Sequence, residues 1–340
     1  MPDTPAWRRQ RLPTLVLTGS EVKPLVSMKD ILEVAEDAFR EKSLGRVQMP
    51  PKTYLYYPAY GGDLRSMPSA LENPEISAVK IVNFHPGNRK MNLPSVMATI
   101  LLVDPKTGQP LSIMDGTWLT ALRTGAATAT ATKYLAREDS TSLGIVGAGT
   151  QAVTQLEGIL SVASVRRVRV YDLHHEAALI FVERAAAEHP NVVFEPVRSV
   201  EEAVTGVDIL VTVTPAREPV VSDRWVQEGL HINAIGADAP GKEELDPAIL
   251  RRAKIVVDDR IQTSHGGEIN VPLKNGQLRP EDIYAELGDI VARKVPGRES
   301  EKEVTVFDST GIAILDAVSA KLVYDRALQK GVGRVMNLVS

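Results

Sequence analysis

The sequence has no cysteine, no long apolar run and little net charge, and each absence excludes a class of protein. Without cysteine the chain can form neither disulfides nor thiolate metal sites, and it has no thiol nucleophile. No apolar run approaches the roughly 20 residues of a membrane-spanning helix. Residues 1–13 are polar and lack the apolar core of a signal peptide. A net charge of −4 favours neither nucleic acid nor an anionic membrane as a partner. We therefore expect a cytoplasmic protein.

The remaining composition is that of an ordinary globular protein, with 44% hydrophobic and 24% charged residues. At 340 residues the chain is long for a single core, so we expect two domains. Between residues 15 and 114, short β-rich segments joined by turns predict a largely antiparallel sheet. From residue 142 strands and helices alternate, and segments 225–228 and 232–236 continue the series. This alternation predicts a parallel, doubly wound α/β sheet.

Two helical segments mark the expected domain boundaries. Residues 118–135 carry small side chains, which allow another backbone or a cofactor to approach closely. Residues 312–328 form a helix that is long enough to cross back to the first domain. We predict a β-rich domain from residues 1–118 with 312–340, and a Rossmann domain from residues 119–311.

A glycine-rich turn between a strand and a helix is the most informative motif. The apolar segment 143–146 leads into Gly147, Ala148, Gly149, Thr150, Gln151 and Ala152. Gly147 permits the tight turn, Gly149 leaves bare backbone for a phosphate, and Ala152 keeps the helix close to the strand. The N-terminus of the helix offers unpaired N–H groups and a positive dipole end, which stabilise a pyrophosphate. We predict a dinucleotide site formed by this motif.

Asp172 indicates which dinucleotide is bound. It ends the next strand, 168–171, about 20 residues beyond the glycines, where a carboxylate binds ribose hydroxyls. A carboxylate repels a 2′-phosphate, and residues 173–175 include no arginine to bind one. NAD is therefore favoured over NADP, although Asp172 as a cap of the next helix is the alternative.

Further cofactor contacts are expected at the carboxyl ends of the later strands, where doubly wound folds bind ligands. Arg123 lies near the start of the small-residue helix, and it either forms a surface ion pair or contacts the pyrophosphate. These additional predicted contacts are Arg123, Thr124, Thr212, Val213, Thr214, Ala234, Ile235, Gly236 and Ser309.

Three cations, Lys52, Arg65 and Lys80, lie on separate predicted strands of the first domain. Taken singly, Lys52 and Arg65 are compatible with exposed positions. Lys80 interrupts the apolar segment 78–82, so it lies either on an exposed face or in the core with an anionic partner. Cations facing a nicotinamide would suit a small carboxylate substrate, and Arg65 can bind a carboxylate through two parallel hydrogen bonds.

Two segments of the second domain carry further candidate chemistry. Asp238 follows the apolar strand 232–236, and it is either a general acid or base or the first residue of an Asx turn. His265 and Glu268 are of metal-ligating types, but their spacing matches no established zinc pattern and two ligands do not form a site. We predict that no metal is bound.

Together these motifs resemble the ornithine cyclodeaminase/μ-crystallin superfamily over nearly the whole chain. Residues 265–271 and 297–300 resemble the archaeal-type alanine dehydrogenases within that superfamily. The segments that carry the resemblance, in order, are 49–52, 62–68, 114–116, 122–126, 147–152, 231–238 and 307–311.

The resemblance implies a homodimer built through the β-rich domain, with NAD(H) in the Rossmann domain and the substrate between the two domains. It places Arg65 and Lys80 on the substrate carboxylate and Lys52 in the same pocket. Asp238 would be the catalytic acid or base, and Lys80 would be a catalytic residue as well. The ornithine enzymes of the superfamily have a glutamate where this chain has Arg65, and an arginine repels the distal ammonium of ornithine. We expect a substrate with a small or uncharged side chain.

The expected activity is that of an NAD-dependent alanine dehydrogenase, which aminates pyruvate reductively or deaminates L-alanine oxidatively. The first alternative is a cyclic ketimine reductase that acts on compounds such as pyrroline-2-carboxylate. The second alternative is an ornithine cyclodeaminase, and the third is a crystallin-like NAD(P)H-binding protein with little catalytic activity. In each case the partner is a small molecule.

Overall fold

The computed structural model describes residues 12–339, and these divide into two compact units. Residues 1–11, which include most of the polar N-terminal segment, lie outside the described residues. Of the described residues, the first unit contains 12–34, 45–123 and 313–339, and the second contains 35–44 and 124–312.

Strands are distributed over both units. They are β1 (Leu12–Leu17), β2 (Val47–Gln48), β3 (Thr53–Tyr57), β4 (Gly62–Glu72), β5 (Glu75–Phe84), β6 (Val96–Val103), β7 (Pro110–Asp115), β8 (Ser142–Val146), β9 (Arg167–Tyr171), β10 (Val193–Pro196), β11 (Ile209–Thr212), β12 (Arg217–Val221), β13 (His231–Ala234), β14 (Glu243–Leu245), β15 (Lys254–Val257), β16 (Ile283–Glu286), β17 (Thr305–Asp308) and β18 (Arg334–Val339).

The helices range from one turn to five turns. They are α1 (Gly19–Val22), α2 (Met28–Ser43), α3 (Thr117–Leu135), α4 (Thr150–Leu160), α5 (His175–Glu188), α6 (Val200–Val204), α7 (Pro247–Arg252), α8 (Arg260–Gly266), α9 (Asn270–Lys274), α10 (Leu287–Val291) and α11 (Ala313–Lys330). Within residues 12–339, none of them has both the length and the apolar character that crossing a bilayer requires.

The first unit is built on an eight-stranded sheet in the order β18-β1-β7-β6-β5-β4-β2, with β3 paired to β4. Its pairs are antiparallel except for β1 with β7, which confirms the largely antiparallel sheet expected from the sequence. Side chains alternate along β4 and β5, so one face buries Met67, Ala78 and Val82. Helix α11 packs against these strands. Any polar side chain on this face is therefore enclosed in the core.

The second unit has an eight-stranded sheet in the order β10-β9-β8-β11-β13-β17-β15-β16, and all its pairs are parallel. This confirms the doubly wound Rossmann arrangement. One expectation was wrong, since residues 225–228 do not continue the alternation and form neither a strand nor an α-helix. Residues 223–225 form a 3₁₀ turn, and Gly229 then reverses the chain into β13 with a φ of +84°. The small parallel pair of β12 and β14 was not expected.

The small side chains of α3 have the expected consequence within the second unit. Ala127, Ala129 and Ala131 are buried, and helix α4 approaches α3 at Gly158. A Cβ atom at Gly158 would lie 2.4 Å from the carbonyl oxygen of Gly125. The two helix backbones are therefore in direct contact, and α4 is held where its N-terminus follows the glycine motif.

Candidate functional site

The glycine turn after β8 has the geometry of a phosphate-binding loop. Gly147 has a φ of +105°, and a Cβ atom there would lie 2.8 Å from the carbonyl oxygen of Val213. At Gly149, which caps α4, no atom lies within 4 Å of the position that a Cβ would occupy. Ala152 is fully buried. Gly147 is therefore required for packing, whereas Gly149 leaves open space above a helix N-terminus, as a pyrophosphate requires.

Asp172 follows β9 and lies against the glycine turn. Its Oδ2 accepts a hydrogen bond of 2.8 Å from the backbone N–H of Ala148, and its Oδ1 accepts one of 2.9 Å from that of His174. The carboxylate is partly exposed. A carboxylate acceptor is thus fixed beside the glycine turn.

The ends of β11 and β13 are joined by Glu244, which is completely buried. Its carboxylate accepts hydrogen bonds from the Thr212 hydroxyl at 2.8 Å and from the backbone N–H groups of Thr214 and Gly236 at 2.7 and 2.9 Å. A Cβ atom at Gly236 would lie 2.2 Å from the carbonyl oxygen of Thr214. The predicted cofactor contacts on these two strands therefore form one rigid edge, with Ala234 and Ile235 buried behind it.

Two more buried carboxylates, Glu268 and Asp308, continue this arrangement. Glu268 accepts the backbone N–H groups of Glu244 and Leu245 at 2.9 and 2.7 Å. Asp308 accepts those of Glu268 and Ile269 at 2.9 and 3.2 Å. Burial raises the pKa of Glu268 well above its usual value, and the neighbouring carboxylate of Glu244 adds to this. Burial likewise raises the pKa of Asp308. Asp308 therefore holds the segment that carries Glu268, and Glu268 holds the segment that carries Glu244.

The sequence did not reveal the role of Glu244. It lies in the charged run 242–244, which is typical of an exposed turn. From the sequence, Glu268 was considered only because glutamate is a residue type that can bind a metal. It is buried whereas His265 is exposed. Among residues 12–339, no group of three or more acidic or histidine side chains is arranged to hold a metal ion.

Asp238 lies in the loop after β13, partly exposed, and it has a cationic neighbour. The ammonium group of Lys242 is 2.6 Å from Asp238 Oδ1. The Lys242 side chain is 12% exposed and that of Asp238 33% exposed. The pairing orients one oxygen of Asp238 while leaving the residue accessible. The sequence placed Lys242 in this segment but suggested no role for it.

In the first unit Lys80 is completely buried, and its ammonium group lies 2.8 Å from the carboxylate of Asp316 on α11. Arg123 shares this carboxylate through its Nε at 3.0 Å, and its buried Nη1 has no hydrogen-bond partner among residues 12–339. Burial lowers the pKa of Lys80 to about 7, and the charges of Arg123 and Lys52 act in the same direction. Of the two alternatives for Lys80, the structure therefore shows the buried one.

Arg65 lies on the same face of the sheet as Lys80, because Arg65 pairs with Val82 and Met67 pairs with Lys80 between β4 and β5. It is 8% exposed, donates to Asp63 at 2.9 and 3.1 Å, and stacks over the ring of Tyr54. Lys52 belongs to the same region, since its charge acts on Lys80. The expectation that each cation lies on a strand was wrong for Lys52, which directly precedes β3, whereas Arg65 and Lys80 lie on β4 and β5. Arg123, predicted as a pyrophosphate contact, lies in this region as well.

Ser309, the last predicted cofactor contact, is buried at the end of β17. Its hydroxyl donates to Asp258 at 2.8 Å, and the same carboxylate oxygen accepts the backbone N–H of Gly311 at 2.8 Å. Gly311 has a φ of +76°. The segment 307–311 is therefore held by side chains at the carboxyl edge of the sheet.

Comparison with known proteins identifies the family. The model of the ornithine cyclodeaminase/mu-crystallin family matches residues 13–331. The chain belongs to this family. The match includes the glycine motif, both cation-bearing strands and the Asp238 segment.

Members of the ornithine cyclodeaminase/mu-crystallin family include proteins that are similar over their full length. The alanine dehydrogenase of Archaeoglobus fulgidus is 50% identical over 94% of this chain and 97% of its own. An archaeal alanine dehydrogenase dimer with bound NAD superposes with a TM-score of 0.92 at 49% identity, covering 96% of this chain and 100% of the other. Thermococcus litoralis Δ1-pyrroline-2-carboxylate reductase, in complex with NADH and L-proline, superposes with a TM-score of 0.92 at 44% identity. The match covers 94% of this chain and 99% of the other.

Proposed function

We propose that this chain is an NAD-dependent alanine dehydrogenase, which interconverts L-alanine with pyruvate and ammonium. The observation that carries the proposal is the buried pair of cations, Lys80 and Arg123, which share the single carboxylate of Asp316. The Nη1 of Arg123 has no hydrogen-bond partner among the described residues, as expected of a group that awaits an anion. A small 2-oxo acid supplies such an anion. The 50% identity to an alanine dehydrogenase supports the same activity.

NAD is the proposed cofactor, and the residues present fit it. Gly149 leaves open space at the N-terminus of α4, and Asp172 offers a carboxylate beside the turn. Related structures hold NAD or NADH, which supports the assignment. When bound, NADH supplies the hydride that reduces the imine carbon. We retain the remaining cofactor contacts as proposals, namely Thr124, Thr150, Gln151, Thr212, Val213, Thr214, Ala234, Ile235, Gly236 and Ser309.

The substrate roles follow from the charges of the side chains. We assign binding of the pyruvate carboxylate to Arg65 and Lys80, with Arg123 as a further cation and Lys52 nearby. Asp238 accepts a proton from the nitrogen as ammonia adds to the carbonyl carbon, and it passes that proton to the oxygen, which becomes a hydroxyl group. A second transfer from the nitrogen to this hydroxyl group through Asp238 lets it leave as water and forms the imine. The ion pair with Lys242 stabilises the carboxylate form that accepts each proton. Fixed charges that face the substrate lower the barrier because they need no reorganisation.

A cyclic ketimine reductase is the second candidate. It is favoured by the 44% identity to a pyrroline-2-carboxylate reductase over 94% of the chain. Such an enzyme needs the same cations and the same proton donor but no ammonia, since its substrate already contains the C=N bond. An ornithine cyclodeaminase is disfavoured, because Arg65 would repel the distal ammonium group of ornithine.

The decisive experiment measures NADH oxidation by the purified protein with pyruvate, with and without ammonium. The expected result is oxidation that requires ammonium and is faster with NADH than with NADPH. Oxidation with pyrroline-2-carboxylate alone would assign the second candidate instead. No turnover with either substrate, despite NADH binding, would favour a binding protein of the crystallin type.

We also propose that the protein forms a homodimer and is located in the cytoplasm. A homodimer is supported by the archaeal alanine dehydrogenase, which was solved as a dimer. The cytoplasmic location expected from the sequence and the absence of a bound metal both stay predictions.

A further inference from the structure

The segment 266–270, which supplies no residue to the roles proposed above, contacts the loop that carries Asp238. This loop, residues 235–242, is called the Asp238 loop below, and it connects β13 to β14. Both segments belong to the second unit. Their contacts are made by side chains of one segment and backbone groups of the other, so they act on the conformation of the loop.

Asn270 binds the end of the Asp238 loop through both functions of its amide. Its Oδ1 accepts a hydrogen bond of 2.9 Å from the backbone N–H of Gly241, and its Nδ2 donates one of 2.8 Å to the carbonyl oxygen of Lys242. Asn270 is 7% exposed, so water competes little for these bonds. Gly241 has a φ of +76°, a conformation that glycine adopts readily. Asn270 thereby fixes the residue whose ammonium group pairs with Asp238.

Glutamate side chains hold the loop at both ends. Glu268 accepts the backbone N–H groups of Glu244 and Leu245, just after the loop, and Glu244 accepts that of Gly236, just before Asp238. The segment 266–270 is itself anchored, because Asp308 accepts the N–H of Glu268. A Cβ atom at position 267 would lie 2.8 Å from the Cα of Thr263 and 2.6 Å from both oxygens of Asp308, so glycine is required there.

We propose that Asn270 and Glu268 are positioning residues for Asp238. They fix the backbone that follows Asp238, and Glu268 also holds the strand whose Glu244 accepts the N–H of Gly236 before it. The Asp238 carboxylate and the Lys242 ammonium group thereby keep their relative place before substrate binds. This inference rests on the proposed role of Asp238 as the acid or base. A misplacement of about 1 Å in a catalytic group is enough to lower the rate about 100-fold.

The first test measures hydrogen–deuterium exchange of the backbone amides in the full-length protein without substrate. In Asn270→Ala, the amide of Gly241 loses its acceptor, and we expect it to exchange at least about 10-fold faster than in the wild type. The matched control is Asn275→Ala, which replaces an exposed asparagine just after the same helix, α9. Unchanged exchange at Gly241 in Asn270→Ala would overturn the proposal.

The second test is a double-mutant cycle between Asn270→Ala and Asp238→Asn. We expect Asn270→Ala to lower kcat about 10- to 100-fold while the Kd for NADH changes less than about 2-fold. In the Asp238→Asn background the same substitution should lower kcat less than about 2-fold, because the group that it positions is gone. An equal loss in both backgrounds would mean that Asn270 acts independently of Asp238, and the proposal would fall.

The two tests separate this inference from the proposed function. If Asp238→Asn keeps full activity, the role of Asp238 is wrong, and the positioning of Asp238 for catalysis falls with it. If no substrate is turned over, the proposed function fails, whereas the exchange experiment still decides whether Asn270 holds the loop. If Asn270→Ala does not fold, Asn270→Asp is used in the double-mutant cycle. It keeps the acceptor for Gly241 and loses the donor to the carbonyl oxygen of Lys242, so we expect a smaller loss of kcat in the same direction, again only while Asp238 is present.

Discussion

The ammonium group of Lys80 lies 2.8 Å from the carboxylate of Asp316, although 236 positions separate these residues in the chain. Lys80 is completely buried and Asp316 is 1% exposed. Arg123 contacts the same carboxylate. Asp316 therefore neutralises cations that the core of the first unit would otherwise exclude.

Removing this carboxylate is expected to destabilise the protein strongly. Asp316→Ala leaves two buried cations without a shared partner, and we expect the free energy of unfolding to fall by about 3–5 kcal/mol. Lys80→Met should cost less, because Asp316 keeps its contact with Arg123. Urea unfolding of the purified variants measures both changes.

The control for this prediction lies on the same helix. Asp325 forms a partly exposed ion pair with Lys321 on α11, and ion pairs in contact with solvent contribute only about 0–1 kcal/mol. Asp325→Ala should therefore unfold nearly as the wild type does. If Asp316→Ala lowered the free energy of unfolding as little as this control does, the buried carboxylate would not be what stabilises the cations.

This pair also shows how far the sequence predicts the site. A lysine inside an apolar strand limits Lys80 to two environments, and burial with an anion was one of them. The identity of the anion was beyond prediction, because it depends on how α11 packs across β5. Asp316 lies in a helix whose sequence pattern does not distinguish a buried carboxylate from an exposed one.

The cofactor loop was predictable because its chemistry is local. Gly147, Gly149 and Asp172 are spaced by the length of one strand–helix–strand unit, so the spacing alone predicts their proximity. Glu244 was missed for the opposite reason. Its burial depends on the short strand β14, whose pairing with β12 has no signal in the sequence. The sequence likewise carries no signal for the 3₁₀ turn at residues 223–225, which is why residues 225–228 were expected to continue the alternation.

His231 is expected to make the second unit sensitive to acid. Burial lowers its pKa to about 3 from 6.5, and the charge of Arg298 acts in the same direction. Between these two values the unfolded chain binds one more proton than the folded chain. The free energy of unfolding therefore falls as the pH falls, by about 1.4 kcal/mol per pH unit from this residue.

His231→Asn tests this linkage by removing the titrating group. Asparagine retains a polar group near the position of Nδ1, which lies 2.9 Å from the Thr305 hydroxyl. Urea unfolding from pH 8 to pH 4 should show parallel behaviour of both proteins above pH 7. Below about pH 6.5 the wild type should lose stability more steeply, and equal slopes there would contradict the prediction.

Arg65 is expected to contribute to substrate affinity through its charge. Arg65→Gln removes a guanidinium that is held in place by Asp63. Hydrogen bonds to charged groups contribute about 1.5–3 kcal/mol, so the KM for pyruvate should rise about 10- to 100-fold while the KM for NADH stays within about 2-fold. Arg334→Gln, at an exposed position of the first unit, is the matched control. A parallel rise in both KM values would indicate a general distortion instead.

Asp172 is expected to determine the choice between NADH and NADPH. Asp172→Ala removes the proposed acceptor for two ribose hydroxyls and a charge that would repel a 2′-phosphate, so NADH should bind about 10-fold more weakly and NADPH more tightly. Because Asp172 also accepts the N–H of Ala148, the substitution can loosen the turn and weaken both cofactors equally. The ratio of the two Kd values, measured by fluorescence titration, is therefore the informative quantity. Glu176→Ala removes an equal charge from an exposed position in the first turn of α5, and it should leave the ratio unchanged. A ratio that stays constant in Asp172→Ala would restrict this residue to supporting the turn.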